Sequence, residues 1–145
     1  MTSSKDWLSR ERVKYLTVEE VIAIHDHAIR EFGRSPEIAS VARLESAVAT
    51  PRQTMFGQDL YPDLFSKAAV LIYLLIKNHP FVDGNKRIGS LLFIYFLEKN
   101  RYLRRESGTR KIENNTMVAL ALLVANSQPR EKDIMIKIIS NLLKD

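Results

Sequence analysis

Two apolar runs constrain the fold of this chain more than any other feature. They span residues 68–76 and 91–97 and consist mostly of Leu, Ile, Ala, Val, Phe and Tyr. Side chains of this kind are stable when removed from water, so both runs must lie in the interior. Each run is shorter than the about 20 apolar residues that a membrane-spanning helix needs. The sequence therefore predicts two central helices of a soluble domain.

A polar loop joins the two runs, with the sequence His-Pro-Phe-Val-Asp-Gly-Asn-Lys-Arg at residues 79–87. Pro80 disfavours helix at the residue before it, so the first helix should end near Asn78 or His79. Gly84 permits a backbone geometry that other residues resist, and the second helix should begin near Asn85. A polar loop between two core elements is a common place for a binding or catalytic site.

The residues of this loop suit phosphate chemistry. The first amides of a helix have no intrahelical partner and carry the positive end of its dipole, so residues 84–87 form a candidate anion cradle. Lys86 and Arg87 add two cationic side chains. Asp83 precedes the cradle, where a carboxylate can hold Mg²⁺ against phosphate oxygens. His79 carries the side chain that most readily exchanges a proton near neutral pH, which suits a general base.

The pattern His-Pro-Phe-x-Asp-Gly-Asn-Lys-Arg resembles the active-site motif of the Fic/Doc family. Its Lys-Arg pair resembles the Doc (death-on-curing) branch, the toxin half of toxin–antitoxin pairs. The flanking sequence agrees, because residues 16–26 resemble the family's first helix and residues 60–69 resemble the approach to the helix before the motif. The resemblance divides the chain into an N-terminal tail or extension, residues 1–15, and a Fic/Doc domain, residues 16–145.

This resemblance implies an all-α fold, a helical bundle with the active-site loop between two central helices and a small flap. It also implies a protein-modifying transferase that uses ATP as co-substrate and Mg²⁺ as cofactor. His79 would be the catalytic base, and Asp83 would hold the metal directly or through water. The residues that would bind nucleotide phosphate are Gly84, Asn85, Lys86 and Arg87. A preorganised anion site needs fixed donors, so Phe81 and Val82 are expected to face inward and anchor the loop.

Two positions bear on which group is transferred. In AMP-transferring members the motif reads Gly-Asn-Gly-Arg-x-x-Arg, whereas this chain has Lys86 at the second glycine and Ser90 at the second arginine. A lysine fills the space that glycine leaves, and serine cannot replace a guanidinium fork. ATP bound in the opposite sense would present its γ-phosphate to His79, which favours phosphorylation of a target hydroxyl. Gly84 resembles the AMP-transferring members, so adenylyl transfer to Ser, Thr or Tyr is the alternative.

The resemblance implies two partners, an antitoxin and a target protein of the translation elongation factor class. A second alternative is a non-catalytic module that binds a partner or nucleic acid, which the net charge of +5 permits but does not require. A basic cluster can be solvated, or can meet an acidic antitoxin segment or nucleic acid, and we favour the solvated state. Its members are Arg101, Arg104, Arg105, Arg110 and Lys111. The charged N-terminus lacks the apolar segment of a secretory signal, so we expect a cytoplasmic protein without a membrane partner.

Local patterns predict the remaining elements. Helices are expected at residues 17–32, 41–49, 63–78, 85–100 and 115–126, and a last helix capped by Ser127 with Pro129 in its first turn. Its predicted buried residues are Ile134, Ile138, Ile139 and Leu142. Residues 34–40 and those that follow contain the flap by resemblance, although a plain surface loop is equally compatible with the sequence.

Two further patterns are interpreted as having no separate function. His25 and His27 are two residues apart and point to different helix faces, so we interpret them as ordinary helix histidines rather than metal ligands. Residues 109–114 fit the Ser/Thr-x-x-x-Glu-Gly/Asn pattern by which some Fic proteins inhibit themselves. The glutamate of that pattern pairs with the second arginine, which is Ser90 here, so we interpret the match as chance.

Overall fold

The computed structural model describes residues 13–32 and 37–144, and this part of the chain contains six α-helices. The predicted all-α architecture is confirmed. The helices are α1 Val18–Phe32, α2 Val41–Ala49, α3 Leu64–Lys77, α4 Asn85–Lys99, α5 Asn114–Asn126 and α6 Lys132–Leu143. An antiparallel hairpin of β1 Thr54–Met55 and β2 Gln58–Asp59 lies between α2 and α3. Short 3₁₀ turns, Thr50–Arg52 and Pro129–Glu131, follow α2 and precede α6.

Helix α3 is the centre of the molecule, as its apolar sequence predicts. Every side chain from residue 67 to residue 76 is buried, and α3 packs against α2, α4, α5 and α6. Its N-terminus is capped by Asp63, whose Oδ1 accepts the Ser66 N–H at 2.8 Å. Its C-cap is Asn78, so the helix ends immediately before the motif loop.

Helix α4 packs closely on α3 at a glycine. A Cβ atom at Gly89 would lie 2.9 Å from Ile76 Cγ1, a distance that real Cβ atoms do not adopt. The absence of a side chain at this position therefore lets the two central helices approach. The buried side of α4 consists of Ile88, Gly89, Leu92, Phe93, Phe96 and Leu97.

Helix α1 begins with a capping box. Thr17 Oγ1 accepts the Glu20 N–H at 3.1 Å, and Glu20 Oε1 accepts the Thr17 N–H at 3.0 Å. The flanking Leu16 and Val21 are both buried, as a hydrophobic staple requires. Lys99 near the end of α4 places its Nζ 2.9 Å from Glu20 Oε2, which ties the two helices together.

The predicted start of the last helix is wrong. Ser127 ends α5 instead, because its hydroxyl donates to the Val124 carbonyl at 2.7 Å. Gln128 forms the capping box of the following 3₁₀ turn with Glu131, whose Oε1 accepts the Gln128 N–H at 2.6 Å. Pro129 opens that turn, and the α-helical part begins only at Lys132.

The predicted buried face of α6 is also wrong apart from Ile139. Ile134, Ile138 and Leu142 are exposed. The buried residues are Met135, Ile136, Ile139, Ser140 and Leu143. Apolar residues occupy more than one side of this helix, so their spacing alone did not determine which side meets α3.

Three features concern the ends of the described segments. Residues 1–12, which include Trp7 and Leu8 of the predicted tail, lie outside the described part of the chain. So do residues 33–36, of which 34–36 belong to the predicted flap region, and residue 145. Just after residues 1–12, the backbone of Lys14 exchanges hydrogen bonds of 2.8 and 3.0 Å with the Asn100 side chain.

None of the helices described is long and apolar enough to cross a membrane.

Candidate active site

The motif loop, residues 78–84, leaves α3 by a sharp turn and enters α4 by another. His79 has φ +47°, a left-handed conformation that is uncommon for a residue with a side chain. Gly84 has φ +81° and is the N-cap of α4. Both turns lie where Pro80 and Gly84 predict them. They reverse the chain so that α3 and α4 can pack side by side with the loop at one end.

The segment Glu37–Ser40 pairs with the outer edge of this loop. The Pro80 carbonyl accepts hydrogen bonds from Ala39 N–H at 2.8 Å and Ser40 N–H at 3.1 Å, and the Val82 N–H donates to the Glu37 carbonyl at 3.1 Å. Ile38 and Phe81 form an antiparallel bridge. The part of the predicted flap region that is described thus fixes the motif loop by backbone hydrogen bonds.

This pairing decides the direction of two side chains. Phe81 is 2% exposed, whereas Val82 is 55% exposed. The expectation that both face inward is therefore wrong for Val82. Successive side chains of an extended segment point to opposite sides, so the chain can turn only one of the two neighbours toward the core.

The Asn85 side chain closes the loop from within. Its Oδ1 accepts the Phe81 N–H at 3.1 Å, and its Nδ2 donates to the Phe81 carbonyl at 2.8 Å. These two bonds fix the orientation of the amide and place Nδ2 3.4 Å from His79 Nδ1. An amide nitrogen only donates, so this long contact assigns the lone pair of a neutral His79 ring to Nδ1.

The predicted anion cradle falls at the start of α4. The Ile88 N–H donates to the Gly84 carbonyl at 2.8 Å, which closes the first turn of the helix on its N-cap residue. The amides of Asn85 and Lys86 precede it, in the turn where a helix offers no acceptor. The side chains of Lys86 and Arg87 are exposed on the same turn. The first amides of the helix and two cationic residues therefore lie in the same turn, at one end of α4.

Asp83 lies between His79 and the cradle and is partly buried. In the described part of the chain no group of three or more His, Cys, Asp or Glu residues is arranged to hold a metal ion. A single carboxylate is nevertheless compatible with Mg²⁺, which commonly takes one or two protein carboxylates and completes its shell with water and substrate phosphates. The residues present thus fit a Mg²⁺ ion that arrives with a nucleotide.

Sequence reasoning missed one residue of this region, His25 on α1. It is fully buried, and its ring stacks on Phe81 with centroids 3.7 Å apart and planes 8° from parallel. Its Nε2 lies 3.3 Å from the Asp83 carbonyl oxygen. The position of His25 on the apolar face of α1 was a signal of burial, but its partners lie more than fifty residues away in the sequence.

An apolar groove of about 410 Å³ begins at the cradle and runs between α4 and α5. Lys86, Arg87 and Ser90 line one part of it. Its apolar lining is Leu91, Ile94, Met117, Val118, Ala121 and Leu122. The sequence did not predict this groove, because the residues that form it come from two helices whose contact depends on the fold.

The two other patterns singled out in the sequence lie in the segment that joins α4 to α5. Asn114, the last residue of the 109–114 match, lines the same groove as Ser90. Ser90 offers no cation for Glu113, so the interpretation as chance stays a prediction. Part of the basic cluster bonds within its own turn, where Arg104 donates to the Gly108 carbonyl at 3.0 Å and Arg105 to that of Arg110 at 2.8 Å.

Comparison with known proteins agrees with this arrangement. The sequence model of the Fic/DOC family matches residues 15–97, more than half of the chain. The fold, a helical bundle with this loop between its two central helices, is consistent with the match. The chain therefore belongs to the Fic/DOC family.

Two relatives are similar over stretches of comparable length. Over 74 residues the chain is 42% identical to "Toxin Doc" of Mycolicibacterium smegmatis, which covers 51% of this chain and 55% of that protein. Over 88 residues it is 27% identical to "Protein kinase doc" of Escherichia phage P1, which covers 61% of this chain and 69% of that protein. The chain thus spans little more than half the length of the first relative.

Proposed function

We propose that this chain transfers the γ-phosphoryl group of ATP to a hydroxyl group of a target protein, and that it is the toxin of a toxin–antitoxin pair in the cytoplasm. One relative is named a toxin and another a protein kinase, which supports both parts of the proposal. The resemblance to the Doc branch suggests a translation elongation factor as the class of target.

The observation that carries the proposal is the placement of Lys86 and Ser90. Both line the groove side of α4 beside the cradle, and Ser90 Oγ donates to the Lys86 carbonyl at 2.9 Å. A nucleotide in the pose of AMP transfer would meet a lysine side chain at its inner phosphates and no guanidinium at its outer ones. The opposite pose avoids both problems and brings the γ-phosphorus toward His79.

The loop residues then have distinct chemical roles. The target's hydroxyl oxygen attacks the γ-phosphorus while His79 takes the hydroxyl proton, the bond to the bridging oxygen breaks, and ADP leaves. The His79 side chain is exposed, so a second protein can reach it. Its contact with Asn85 is long, 3.4 Å, and an approaching hydroxyl can replace it.

The cradle would stabilise the charge that develops during transfer. Gly84, Asn85 and Lys86 contribute backbone amides, and Arg87 and Lys86 contribute cationic side chains. The Asn85 side chain is committed to Phe81, so we assign only its backbone to phosphate. Asp83 would hold Mg²⁺, which neutralises charge on the phosphate oxygens.

An antitoxin partner is proposed from the resemblance and from the name of the first relative. The apolar groove between α4 and α5 adjoins the cradle, so a segment bound there would also cover Lys86 and Arg87. A short open reading frame beside the gene would be the first observation to seek.

Radiolabelled ATP tests the proposal directly. The protein and its target are incubated with ATP labelled at either the α or the γ phosphorus, and the target's mass is measured. We expect label from the γ position only, and a loss of about 10²–10⁴ in rate for His79→Ala with folding intact. Label from the α position with a mass gain of AMP would favour adenylyl transfer, which the glycine at position 84 makes the next candidate.

Nucleotide binding separates an enzyme from a non-catalytic module. The proposed enzyme should bind ATP in a Mg²⁺-dependent manner, and Arg87→Ala should weaken that binding. A nucleic-acid-binding module should instead show an affinity for nucleic acid that falls steeply with salt concentration. A chain that binds nucleic acid in this way and has no affinity for ATP would contradict the proposal.

A further inference from the structure

The face of α1 beneath the motif loop makes specific contacts with it. His25 is fully buried and stacks on Phe81, which is itself buried. One turn further along α1, Ile29 Cδ1 lies 3.2 Å from the position that a Cβ atom on Gly84 would occupy. The loop is therefore supported from α1 at two points on either side of Asp83.

His25 also makes a polar contact with the loop. Its Nε2 lies 3.3 Å from the Asp83 carbonyl oxygen, and its Nδ1 lies 3.5 Å from Asp26 Oδ1, at the outer limit of a hydrogen bond. A carbonyl oxygen can only accept, so the His25–Asp83 bond requires the proton on Nε2. This bond joins a buried side chain to the backbone immediately before the anion cradle.

Because the peptide bond is planar, the contact between His25 and the Asp83 carbonyl also affects the direction of the Gly84 N–H. The Asp83 carbonyl and the Gly84 N–H belong to one peptide unit, and no cis peptide bond occurs in the described residues. In a trans peptide the C=O and N–H point in opposite directions. Holding the carbonyl toward α1 therefore directs the Gly84 N–H away from α1, to the side where α4 begins.

The glycine at position 84 leaves the orientation of the preceding peptide unit poorly restricted, so a contact that restrains it matters. Gly84 has φ +81°, and glycine has access to both signs of φ at little cost. The peptide before a glycine can consequently rotate between two orientations, one of which would turn the Gly84 N–H inward and the carbonyl toward a bound anion. His25 contacts this peptide and opposes its rotation.

We propose that His25 is a positioning residue that directs the Gly84 N–H into the anion cradle by holding the Asp83 carbonyl. Its importance for catalysis rests on the proposed function, but its effect on anion binding can be measured without any target protein. His25 does not touch the reacting atoms, and its role is to set the direction of a backbone donor.

Two substitutions separate the hydrogen bond from the ring. His25→Phe keeps a flat ring over Phe81 and removes the donor, whereas His25→Gln removes the ring and places an amide N–H near the former Nε2. His27→Phe is the matched control, because His27 is exposed on the same helix. Each variant is examined for thermal unfolding and for affinity toward a fluorescent ATP analogue with Mg²⁺.

We expect His25→Phe to weaken nucleotide binding by about 3- to 10-fold, the equivalent of one hydrogen bond, and His25→Gln to recover most of the loss. The amide signal of Gly84 in a ¹⁵N NMR spectrum gives a second readout, which the presence of only five glycines makes easy to assign. This signal should shift on nucleotide addition in the wild type and in His25→Gln, and much less in His25→Phe.

Several outcomes would overturn the proposal. A folded His25→Phe that binds nucleotide as the wild type does would show that the hydrogen bond is not needed. A loss in His25→Gln equal to that in His25→Phe would show that an N–H donor at this position does not restore nucleotide binding. Failure of both variants to fold would show that His25 is needed for the fold and not specifically for the direction of one backbone donor. If only His25→Phe unfolds, the nucleotide affinity of His25→Gln is the deciding measurement. An affinity equal to that of the wild type would support the proposal, and a tenfold weaker affinity would contradict it.

Failure of the proposed function would be recognised separately. A wild-type protein that transfers no γ-label to its target would contradict the phosphorylation proposal, while the nucleotide affinities of the variants would still decide the role of His25. If transfer does occur, His25→Phe should change the rate and the nucleotide affinity but leave the KM for the target protein unchanged.

Discussion

Phe81 and Val82 are neighbours in the chain with opposite surroundings. Phe81 is buried against His25, and Val82 is more than half exposed. Phe81→Ala should therefore reduce the free energy of unfolding by about 3–5 kcal/mol, the range for removing a buried aromatic ring. Val82→Ala should change it by less than about 0.5 kcal/mol, as is usual at the surface.

Urea unfolding at equilibrium measures both values, and the Val82 variant serves as the control for truncation within the same loop. Equal stability losses in the two variants would show that the loop responds as one mobile unit. A Phe81 variant as stable as the wild type would mean that the ring is not part of the core in solution.

The identities of the loop residues could be interpreted from the sequence, but their contacts could not. Pro80 and Gly84 act on the backbone next to them, so the helix ends were predicted correctly. Phe81 faces inward and Val82 outward because the loop pairs with residues 37–40, where Phe81 forms a bridge with Ile38. The contact between His25 and Asp83 likewise joins residues far apart in the chain. Such partners are set by tertiary packing, which local patterns do not encode.

At the scale of elements, α1 and α4 are joined by a partly buried cluster around Glu20. Lys99 Nζ and Tyr95 Oη each lie 2.9 Å from Glu20 Oε2. Desolvation raises the pKa of the Glu20 carboxyl, but hydrogen bonds from Lys99, Tyr95 and Thr17 outweigh it, so the pKa lies below the ordinary value of a glutamate. The ionised form is thus favoured by folding.

This shift predicts a pH-dependent contribution to stability. A carboxyl group with a lowered pKa in the folded state stabilises the protein above its unfolded pKa, about 4.3, and the contribution is lost as the pH falls through the folded value. Glu20→Gln keeps an oxygen for the Thr17 N–H but removes the charge. It should cost about 0.5–1 kcal/mol at pH 7 and less at pH 3.

Urea midpoints at the two pH values provide the measurement. Glu19→Gln, an exposed change in the same helical turn, is the control and should not show this difference. A Glu20→Gln penalty that stays constant between pH 7 and pH 3 would assign the effect to shape or packing rather than to charge.

Helix α2 was predicted more accurately than α6, and the difference has a physical cause. Helix α2 was predicted with its observed bounds, because its buried Leu44, Ala47 and Val48 form a single apolar stripe between a capping serine and a proline. Helix α6 carries apolar residues on more than one side, and the side that packs on α3 could not be chosen from spacing.

At the scale of the whole molecule, the two sides of α4 have different roles, because one packs in the core and the other lines the groove beside the candidate active site. Its side toward α3 contains Ile88, Gly89 and Leu92, whereas Lys86 and Ser90 lie on the groove side. We expect the double variant Lys86→Gly, Ser90→Arg to fold, with a melting temperature about 2–4 °C lower because glycine is a poor helix residue. In the labelling assay it should begin to transfer label from the α position of ATP.

The single variants are the controls for this experiment, since each supplies only one of the two features of the AMP-transfer motif. We expect neither to transfer α-label as well as the double variant does. A double variant that folds, binds ATP and still transfers only γ-label would show that these two positions do not select the transferred group.

The tight fit of Gly89 against Ile76 has a consequence for how such a protein can diversify. Substitutions on the α3 side of α4 are penalised at once, because no space remains there even for a methyl group. Substitutions on the groove side of α4 do not meet this steric penalty. Descendants of this chain could therefore explore new reactions by drift at a few surface codons, while selection on folding preserves the helix pair beneath them.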